Sequence, residues 1–258
     1  MTKLAIYIHY PFCESKCPYC DFNSHVANNI DFNSYQDSYI KEIEYFAAKL
    51  GPRDISSIFF GGGTPSLMPI AIFEAILDKI YQEFNVAKNI EITVEANPGS
   101  FEVAKFQNFK DIGANRISIG VQSFNDNNLK FLGRKHSAKE AKKAITDAAN
   151  IFNNFSFDLM HSLQNQTIDD WLEELKFACN FDSNHLSVYQ LTIEKGTKFF
   201  SDLKAGNIKE LDEDIQLEFF EKTREFLEKK GYINYEISNF AKKDFESKHN
   251  LNYWQGGE

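Results

Sequence analysis

Long apolar runs are missing from this sequence. No stretch of eighteen or more apolar residues occurs in the 258 residues, so the sequence predicts no membrane-spanning helix. The first ten residues, MTKLAIYIHY, also lack the apolar core and the small-residue cleavage site of a secretory signal peptide. We therefore expect a cytoplasmic protein.

Basic charge is also scarce. The chain has 28 lysines and arginines against 37 aspartates and glutamates, which gives a net charge of −9. Because nucleic-acid binding needs a basic surface for the phosphates, we expect no nucleic-acid partner. Glycine (13) and proline (6) are not enriched, and 43% of the residues are hydrophobic. This composition argues for a folded chain with a large core.

Cysteine is scarce as well, yet three of the four cysteines lie together in the sequence. The segment IHYPFCESKCPYCDF contains Cys13, Cys17 and Cys20 as a C-x3-C-x2-C motif, and Cys179 lies far away. This arrangement is not the paired pattern of a secreted disulfide scaffold. Thiolates are soft ligands that select zinc or iron–sulfur clusters. The motif therefore indicates a metal site.

Three interpretations of the motif stay open from the residues alone. A structural zinc needs four ligands, so it would have to recruit His9, Asp21 or His25. A cubane 4Fe–4S cluster on three thiolates leaves one iron free to bind a small molecule. The third interpretation leaves the thiols without a metal. The spacing favours the cluster.

Strand-like and helix-like segments alternate along the chain. Runs rich in Ile, Val, Phe and Tyr predict strands over 4–10, 56–60, 90–96, 116–122, 155–160 and 185–193. Apolar residues at three- and four-residue spacing predict helices over 34–50, 70–84, 101–113, 137–152, 167–181 and 213–231. Because parallel strands need helical crossovers, this order predicts an α/β fold with a parallel sheet, as an open or closed barrel.

Polar residues lie at the carboxyl ends of the predicted strands. The cysteine motif follows the first strand and GGGTPS (61–66) the second, and Glu95, Gln122 and Asp158 mark the next three. Chemistry in parallel barrels gathers at this rim. Glycines allow the backbone to approach a ligand closely. Asp158 lies in an apolar strand and needs a partner, for which we expect Arg134 in a bidentate pair.

C-x3-C-x2-C after one strand and GGGTP after the next resemble the radical S-adenosylmethionine (SAM) superfamily. The resemblance implies a partial (β/α)6 barrel over residues 1–230, with a 4Fe–4S cluster on the three cysteines. The free iron of the cluster would be chelated by SAM, and one electron would cleave SAM to methionine and a 5′-deoxyadenosyl radical. The resemblance implies SAM contacts from Tyr7, Tyr19, Gly62, Gly63, Thr64, Glu95, Gln122, Arg134 and Asp158.

Further motifs resemble the coproporphyrinogen-oxidase-like branch of that superfamily: YIHYPFC, EANP, ISIGVQSF, LGRKH, YEISNFA and HNLNYW. The oxygen-independent coproporphyrinogen III oxidases of the branch carry another cysteine two residues after the third, and here that position is Phe22. The heme chaperones of the branch have phenylalanine there. They also carry HNxxYW, which corresponds here to His249, Asn250, Tyr253 and Trp254.

The HNxxYW motif contains residue types that commonly bind heme. A histidine can ligate heme iron axially, and Tyr253 and Trp254 offer flat apolar surface with polar edges. The resemblance therefore favours a heme chaperone that delivers heme to apo-hemoproteins, including membrane-bound respiratory enzymes. The alternatives are a coproporphyrinogen III oxidase or dehydrogenase in porphyrin biosynthesis, and an inactive fragment of either. The resemblance also implies an electron donor, and admits a homodimer and peripheral contact with a membrane.

Two features depart from the pattern of the branch. Where the branch reads DLIYGLPGQT, this chain reads DLMHSLQNQT, so that Ser162 and Gln164 replace a glycine and a proline. We expect a different loop shape there. The chain also ends soon after HNxxYW, whereas the resemblance implies about 100 further residues, a normal size for an extra domain. We expect residues 231–258 to begin a heme-binding C-terminal region whose accessory domain is largely missing.

Overall fold

The computed structural model describes residues 3–27 and 29–258. The strands of this part are β1 (Lys3–Tyr10), β2 (Phe12–Cys13), β3 (His25–Val26), β4 (Asp54–Gly62), β5 (Asn85–Ala96), β6 (Arg116–Gln122), β7 (Asn154–His161), β8 (His185–Gln190), β9 (Ile233–Asn234) and β10 (Asn239–Ala241). The helices are α1 (Phe32–Leu50), α2 (Ile70–Glu83), α3 (Ser100–Val103), α4 (Phe106–Ile112), α5 (Asp126–Phe131), α6 (Ala138–Ile151), α7 (Ile168–Cys179), α8 (Lys198–Lys204), α9 (Glu213–Lys229) and α10 (Lys248–Trp254).

The main sheet has the strand order β1-β4-β5-β6-β7-β8-β10-β9. The first six of these strands are parallel neighbours, and β10 pairs antiparallel with both β8 and β9. Helical crossovers connect the parallel strands, as their geometry requires. The predicted α/β fold with parallel strands is confirmed. The barrel is open, because no pairing joins β1 to β9 in the described part of the chain.

Local sequence signals set the ends of several helices. Ser137 and Glu140 form a capping box at the start of α6, in which each side chain accepts a hydrogen bond from the other residue's backbone N–H. Thr167 caps α7 through the amide of Asp170. Helix α9 ends just before Gly231, which takes a φ of 84° that glycine adopts without strain. The sequence signals missed the short helices α5, α8 and α10.

The apolar core lies between the outer face of the sheet and the helices. Ile58 and Phe60 of β4 pack in one cluster with Phe73 and Ile76 of α2, and all four are buried. Because side chains alternate along a strand, the neighbouring β4 residues lie on the inner face of the sheet. That inner face is polar: its buried residues include Ser57, Thr93, Arg116, Ser156 and His185.

Residues 231–258 join the barrel through hydrogen bonds. Strands β9 and β10 extend the main sheet, and the amides of Lys248 and His249 at the start of α10 donate to Glu91 Oε1 of β5 at 2.9 and 3.3 Å. The boundary at residue 230 stays a prediction. No helix in the described residues is both long and apolar enough to cross a bilayer.

Candidate functional site

The three clustered cysteines lie in a compact loop after β1. Lys16 Nζ donates to the carbonyls of Phe22 and Ser24 at 3.0 and 3.2 Å, and the amide of Cys20 donates to the carbonyl of Cys17 at 3.1 Å. All three thiols are free. Cys13, Cys17 and Cys20 line a single cavity of about 620 Å³.

Hydrogen-bond donors from two other segments of the chain reach two of the thiols. Thr64 Oγ1 donates to Cys13 Sγ at 3.5 Å, and Arg134 Nη1 donates to Cys17 Sγ at 3.4 Å. Asn97 connects these donors: its Nδ2 donates to Thr64 Oγ1 at 3.1 Å, and its Oδ1 accepts from Arg134 Nη2 at 2.6 Å. Such donors, one of them cationic, stabilise thiolates, the form that binds metal.

The residues present fit a cluster better than a single zinc ion. Three thiols share one cavity, and two already receive donors of the kind that stabilise thiolates. His9, a candidate fourth zinc ligand, has one ring nitrogen 3.2 Å from Tyr7 Oη and the other 2.8 Å from the carbonyl oxygen of Asn23. In the described residues, no three His, Cys, Asp or Glu side chains are placed to hold one metal ion.

The glycine segment packs directly against the cysteine loop. The amide of Gly63 donates to the Tyr10 carbonyl at 2.7 Å, and that of Thr64 donates to the Phe12 carbonyl at 2.8 Å. A Cβ at Gly63 would lie 2.6 Å from the Phe12 carbonyl oxygen, and Gly62 has a φ of 108°. Glycine is therefore required at both positions. The same residues also line the cavity.

Two half-buried carboxyl groups lie on the cavity wall. Burial raises the pKa of Glu95 to about 8 and that of Asp158 to about 6. The charge of Asp158 raises the pKa of Glu95 further, while the Gly62 amide, which donates to Glu95 Oε2 at 3.2 Å, opposes the rise. A hydrogen bond from Ser187 and the nearby Arg116 oppose the rise at Asp158.

The predicted bidentate pair between Arg134 and Asp158 is wrong. Arg134 instead donates to Cys17 Sγ, to Asn97 Oδ1 and to the Gly120 carbonyl, the last at 2.7 Å. Burial lowers the pKa of Arg134, but its neighbours Tyr19 and Cys17 raise it by more. The guanidinium therefore stays charged beside the cysteine loop and acts on Asp158 only at longer range.

Two polar rim residues adopt left-handed backbone conformations. Gln122 has a φ of 71°, and its Oε1 accepts a hydrogen bond from Tyr189 Oη at 2.5 Å. Ser162, which replaces the glycine of the branch pattern, has a φ of 60°. Its Oγ lies 2.9 Å from His161 Nδ1. Non-glycine residues in this region store roughly 1–3 kcal/mol of strain, and such strain clusters at functional sites.

Most of the residues predicted from the sequence meet in this cavity. Besides the three cysteines, the predicted residues that line it are Tyr19, Gly62, Gly63, Thr64, Glu95, Gln122, Arg134, Asp158 and Asn250. The predicted residues outside its lining are Tyr7, His249, Tyr253 and Trp254. Tyr7 lies nearby, and burial raises its pKa to about 12.

The HNxxYW segment places its histidine inside the protein. His249 is 3% exposed, its Nδ1 lies 3.1 Å from Ser57 Oγ, and its ring stacks on Phe59 with centroids 4.9 Å apart. Burial and the charge of Arg116 lower the pKa of His249 to about 4. Its Nε2 has no hydrogen-bond partner within the described part of the chain. This conformation therefore does not present His249 to a ligand at the surface.

The two aromatic residues of the segment are exposed instead. Tyr253 is 64% exposed and Trp254 is 57% exposed, and the Tyr253 ring meets the His249 ring edge-on at 5.2 Å. Surface aromatics beside a buried imidazole provide an apolar docking face at one end of α10.

The sequence analysis missed several residues of the cavity. Asn97, which joins Thr64 to Arg134, follows Glu95 in the EANP motif and could have been found from that position. Arg116 and Ser187 gave no signal, because each sits in a strand whose other residues are mostly apolar or small. Only the strand alignment shows that both reach the cavity.

The chain is similar to several known proteins. The profile of the radical SAM superfamily matches residues 7–178. The chain is 42% identical over its whole length to the heme chaperone HemW of Haemophilus influenzae and 40% identical to HemW of Escherichia coli, and it spans 68% of each. The mouse mitochondrial radical S-adenosyl methionine domain-containing protein 1 is 37% identical, and the chain spans 58% of it.

A solved structure shows the same fold. The coproporphyrinogen III oxidase HemN of Escherichia coli, a radical SAM enzyme, superposes with a TM-score of 0.83 at 25% identity. The alignment covers 99% of this chain and 58% of HemN. With the superfamily profile and the cysteine cavity, these similarities show that the chain belongs to the radical SAM superfamily.

Proposed function

We propose that this chain is a heme chaperone that holds a 4Fe–4S cluster and SAM, binds heme, and delivers heme to apo-hemoproteins. The observation that carries the proposal is the single cavity in which three free thiols meet the glycine segment, Glu95 and Asp158. The HemW relatives, at 40–42% identity, support the choice of heme as the cargo.

Each cavity residue has a role in the proposal. Cys13, Cys17 and Cys20 hold three irons of the cluster, and the donors from Thr64 and Arg134 stabilise the thiolates. When bound, the cluster supplies one electron for the reductive cleavage of SAM. Gly62, Gly63 and Thr64 lie beside the methionyl end of SAM, and Tyr19, Glu95, Gln122, Arg134 and Asp158 supply its remaining polar contacts.

Heme docks on the exposed face formed by Tyr253 and Trp254, with Asn250 directed into the neighbouring cavity. Axial ligation by His249 requires α10 to move, because the imidazole is buried against Phe59. The proposed recipients include membrane-bound respiratory enzymes. An external electron donor reduces the cluster. A homodimer is one assembly in which the heme is delivered.

The second candidate function is that of an oxygen-independent coproporphyrinogen III oxidase. The structural likeness to HemN favours it. Phe22 argues against it: this residue borders the cavity and is 59% exposed, at the position where the resemblance places a fourth cysteine in the oxidases. A decarboxylation assay with coproporphyrinogen III, SAM and a reductant tests this candidate, and formation of protoporphyrinogen would favour it over the chaperone.

The first test is anaerobic reconstitution with iron and sulfide, followed by iron and sulfide analysis. We expect about four of each per chain, as a cubane requires, and we expect the Cys17→Ser variant to lose the cluster spectrum. Cys179→Ser is the matched control, since Cys179 lies outside the cavity. Equal iron content in the wild type, Cys17→Ser and Cys179→Ser would contradict the cluster assignment.

The second test is a hemin titration of the reconstituted protein. We expect saturable binding near one hemin per chain, weakened in Trp254→Ala and unchanged in Tyr45→Ala, which removes an equally exposed aromatic from α1. His249→Ala separates two roles: a changed Soret spectrum indicates ligation, whereas weaker binding with an unchanged spectrum indicates packing only. Unsaturable binding by the wild type would contradict the heme proposal.

A further inference from the structure

The inner face of the barrel holds a buried cation that the predicted SAM site does not use. Arg116 opens β6, is 2% exposed, and still lines the cavity. Its Nη2 donates to Ser156 Oγ at 3.0 Å, and Ser156 Oγ in turn donates to Ser118 Oγ at 2.9 Å. This chain of hydroxyls fixes one end of the guanidinium.

The rest of the guanidinium is not matched by an anion. Arg116 Nε has no hydrogen-bond partner in the described residues, and no ion pair there brings a carboxylate within 4.0 Å of Arg116. A guanidinium has five N–H donors and keeps its charge when buried. A buried charge without a paired anion is costly, so such groups are normally matched by a counter-ion or a ligand.

The nearby carboxyl groups do not fill this role. The charge of Arg116 lowers the pKa of both Asp158 and Glu95, but neither carboxylate forms an ion pair with it in the described residues, and Glu95 accepts instead from the Gly62 amide. They do, however, limit which ligand fits. Two acidic groups on the same wall repel a dianionic phosphate more than a monoanion, and a planar carboxylate matches the fork of a guanidinium.

We propose that Arg116 forms a subsite at the floor of the cavity that binds the carboxylate of a ligand. The inference rests on the proposed function, and the source of this group is a propionate of heme. Ser118 and Ser187 also line the cavity, so the surroundings of this subsite are polar.

The test measures the affinities of hemin, hemin dimethyl ester and SAM for the reconstituted wild type and for Arg116→Gln. The control is Arg224→Gln, which removes an exposed guanidinium from α9, far from the cavity lining. Arg116→Lys keeps the charge but loses the fork, and it serves as a second variant if Arg116→Gln folds poorly. The wild-type preference for hemin over its ester needs no variant.

If a propionate binds Arg116, the wild type prefers hemin over the ester by roughly 30-fold, the lower range for a buried charge pair. That preference falls to near one in Arg116→Gln. SAM is the internal control, and Arg116→Gln should leave its affinity unchanged. Loss of the hemin preference together with an unchanged SAM affinity supports the subsite.

A preference for hemin over its ester that is the same in Arg116→Gln as in the wild type would overturn the inference and leave ordered water as the partner of Arg116. The proposed function would survive that outcome, because hemin would still bind. A wild type that binds neither hemin nor SAM would overturn both the inference and the proposed function.

Discussion

The half-buried carboxyl group of Glu95 makes the stability of the ligand-free protein depend on pH. Burial raises its pKa from an ordinary value of 4.5 to about 8 in the native state. The native state therefore holds a proton that the unfolded chain has lost. The stabilisation from this proton is complete below pH 4.5 and is lost as the pH rises towards 8.

The magnitude follows from the size of the shift. Well below pH 8 each pH unit removes about 1.4 kcal/mol from the free energy of unfolding, and the slope halves at pH 8, which gives about 2.3 kcal/mol between pH 6 and pH 8. Glu95 borders the cavity, where water screens its charge, so we expect about 1–3 kcal/mol. Asp158, with a pKa of about 6, also ionises in the lower half of this window, but it does so with and without Glu95, so a comparison with a Glu95→Gln variant isolates the contribution of Glu95.

The assay is urea unfolding of the ligand-free wild type and of Glu95→Gln at pH 6 and pH 8. We expect similar stability at pH 6, because glutamine can still accept the Gly62 hydrogen bond. At pH 8 the variant should be more stable than the wild type by about 1–3 kcal/mol. Glu173→Gln, on the surface of α7, is the control. A wild-type stability that falls no faster than that of Glu95→Gln would refute the reasoning.

Three further substitutions test other parts of the structure. Gly63→Ala should lower the free energy of unfolding in urea by about 1–3 kcal/mol and abolish iron uptake, because the added Cβ meets the cysteine loop. Gly206→Ala is the control: Gly206 has a φ of 76° and open space around it, so this variant should keep iron uptake. Trp171→Phe loses the 2.8 Å hydrogen bond from Nε1 to Thr223 Oγ1 and should lower the free energy of unfolding by about 1–3 kcal/mol; unchanged stability would argue against that bond. Arg134→Lys loses the two guanidinium nitrogens that connect Cys17 Sγ to Asn97 Oδ1. The reconstituted cluster of this variant should therefore lose its absorbance in air faster than the wild-type cluster, and equal rates of loss would contradict this role.

The parallel sheet was predictable because each of its long strands is a short run rich in Ile, Val, Phe and Tyr, a signal that is local in the sequence. The predicted strand 116–122 coincides with β6, and the predicted helix 70–84 matches α2 to within one residue. The stretch 101–113 was predicted as one helix, but it divides into α3 and α4. The short helix α10 was missed, because its stability comes from Glu91 of β5, a partner 157 residues away in the chain.

The site was predictable only where its residues form motifs. The cysteines and the glycine segment stand together in the sequence, and the structure brings them to one cavity. The partners of Arg134 and the burial of His249 depend on which side chains face inward from distant strands. Sequence spacing carries no information about those distances, so the pairing of Arg134 with Asp158 was predicted wrongly.

The most direct test of the proposed function is heme transfer. Reconstituted protein loaded with one hemin is mixed anaerobically with apomyoglobin as a generic acceptor, and the formation of holomyoglobin is followed by absorbance. Trp254→Ala and Tyr45→Ala are loaded and measured in parallel. The account predicts that the wild type and Tyr45→Ala bind hemin saturably and transfer it to the acceptor, and that Trp254→Ala loads poorly. No saturable loading, or loaded hemin that never reaches the acceptor, would contradict the account.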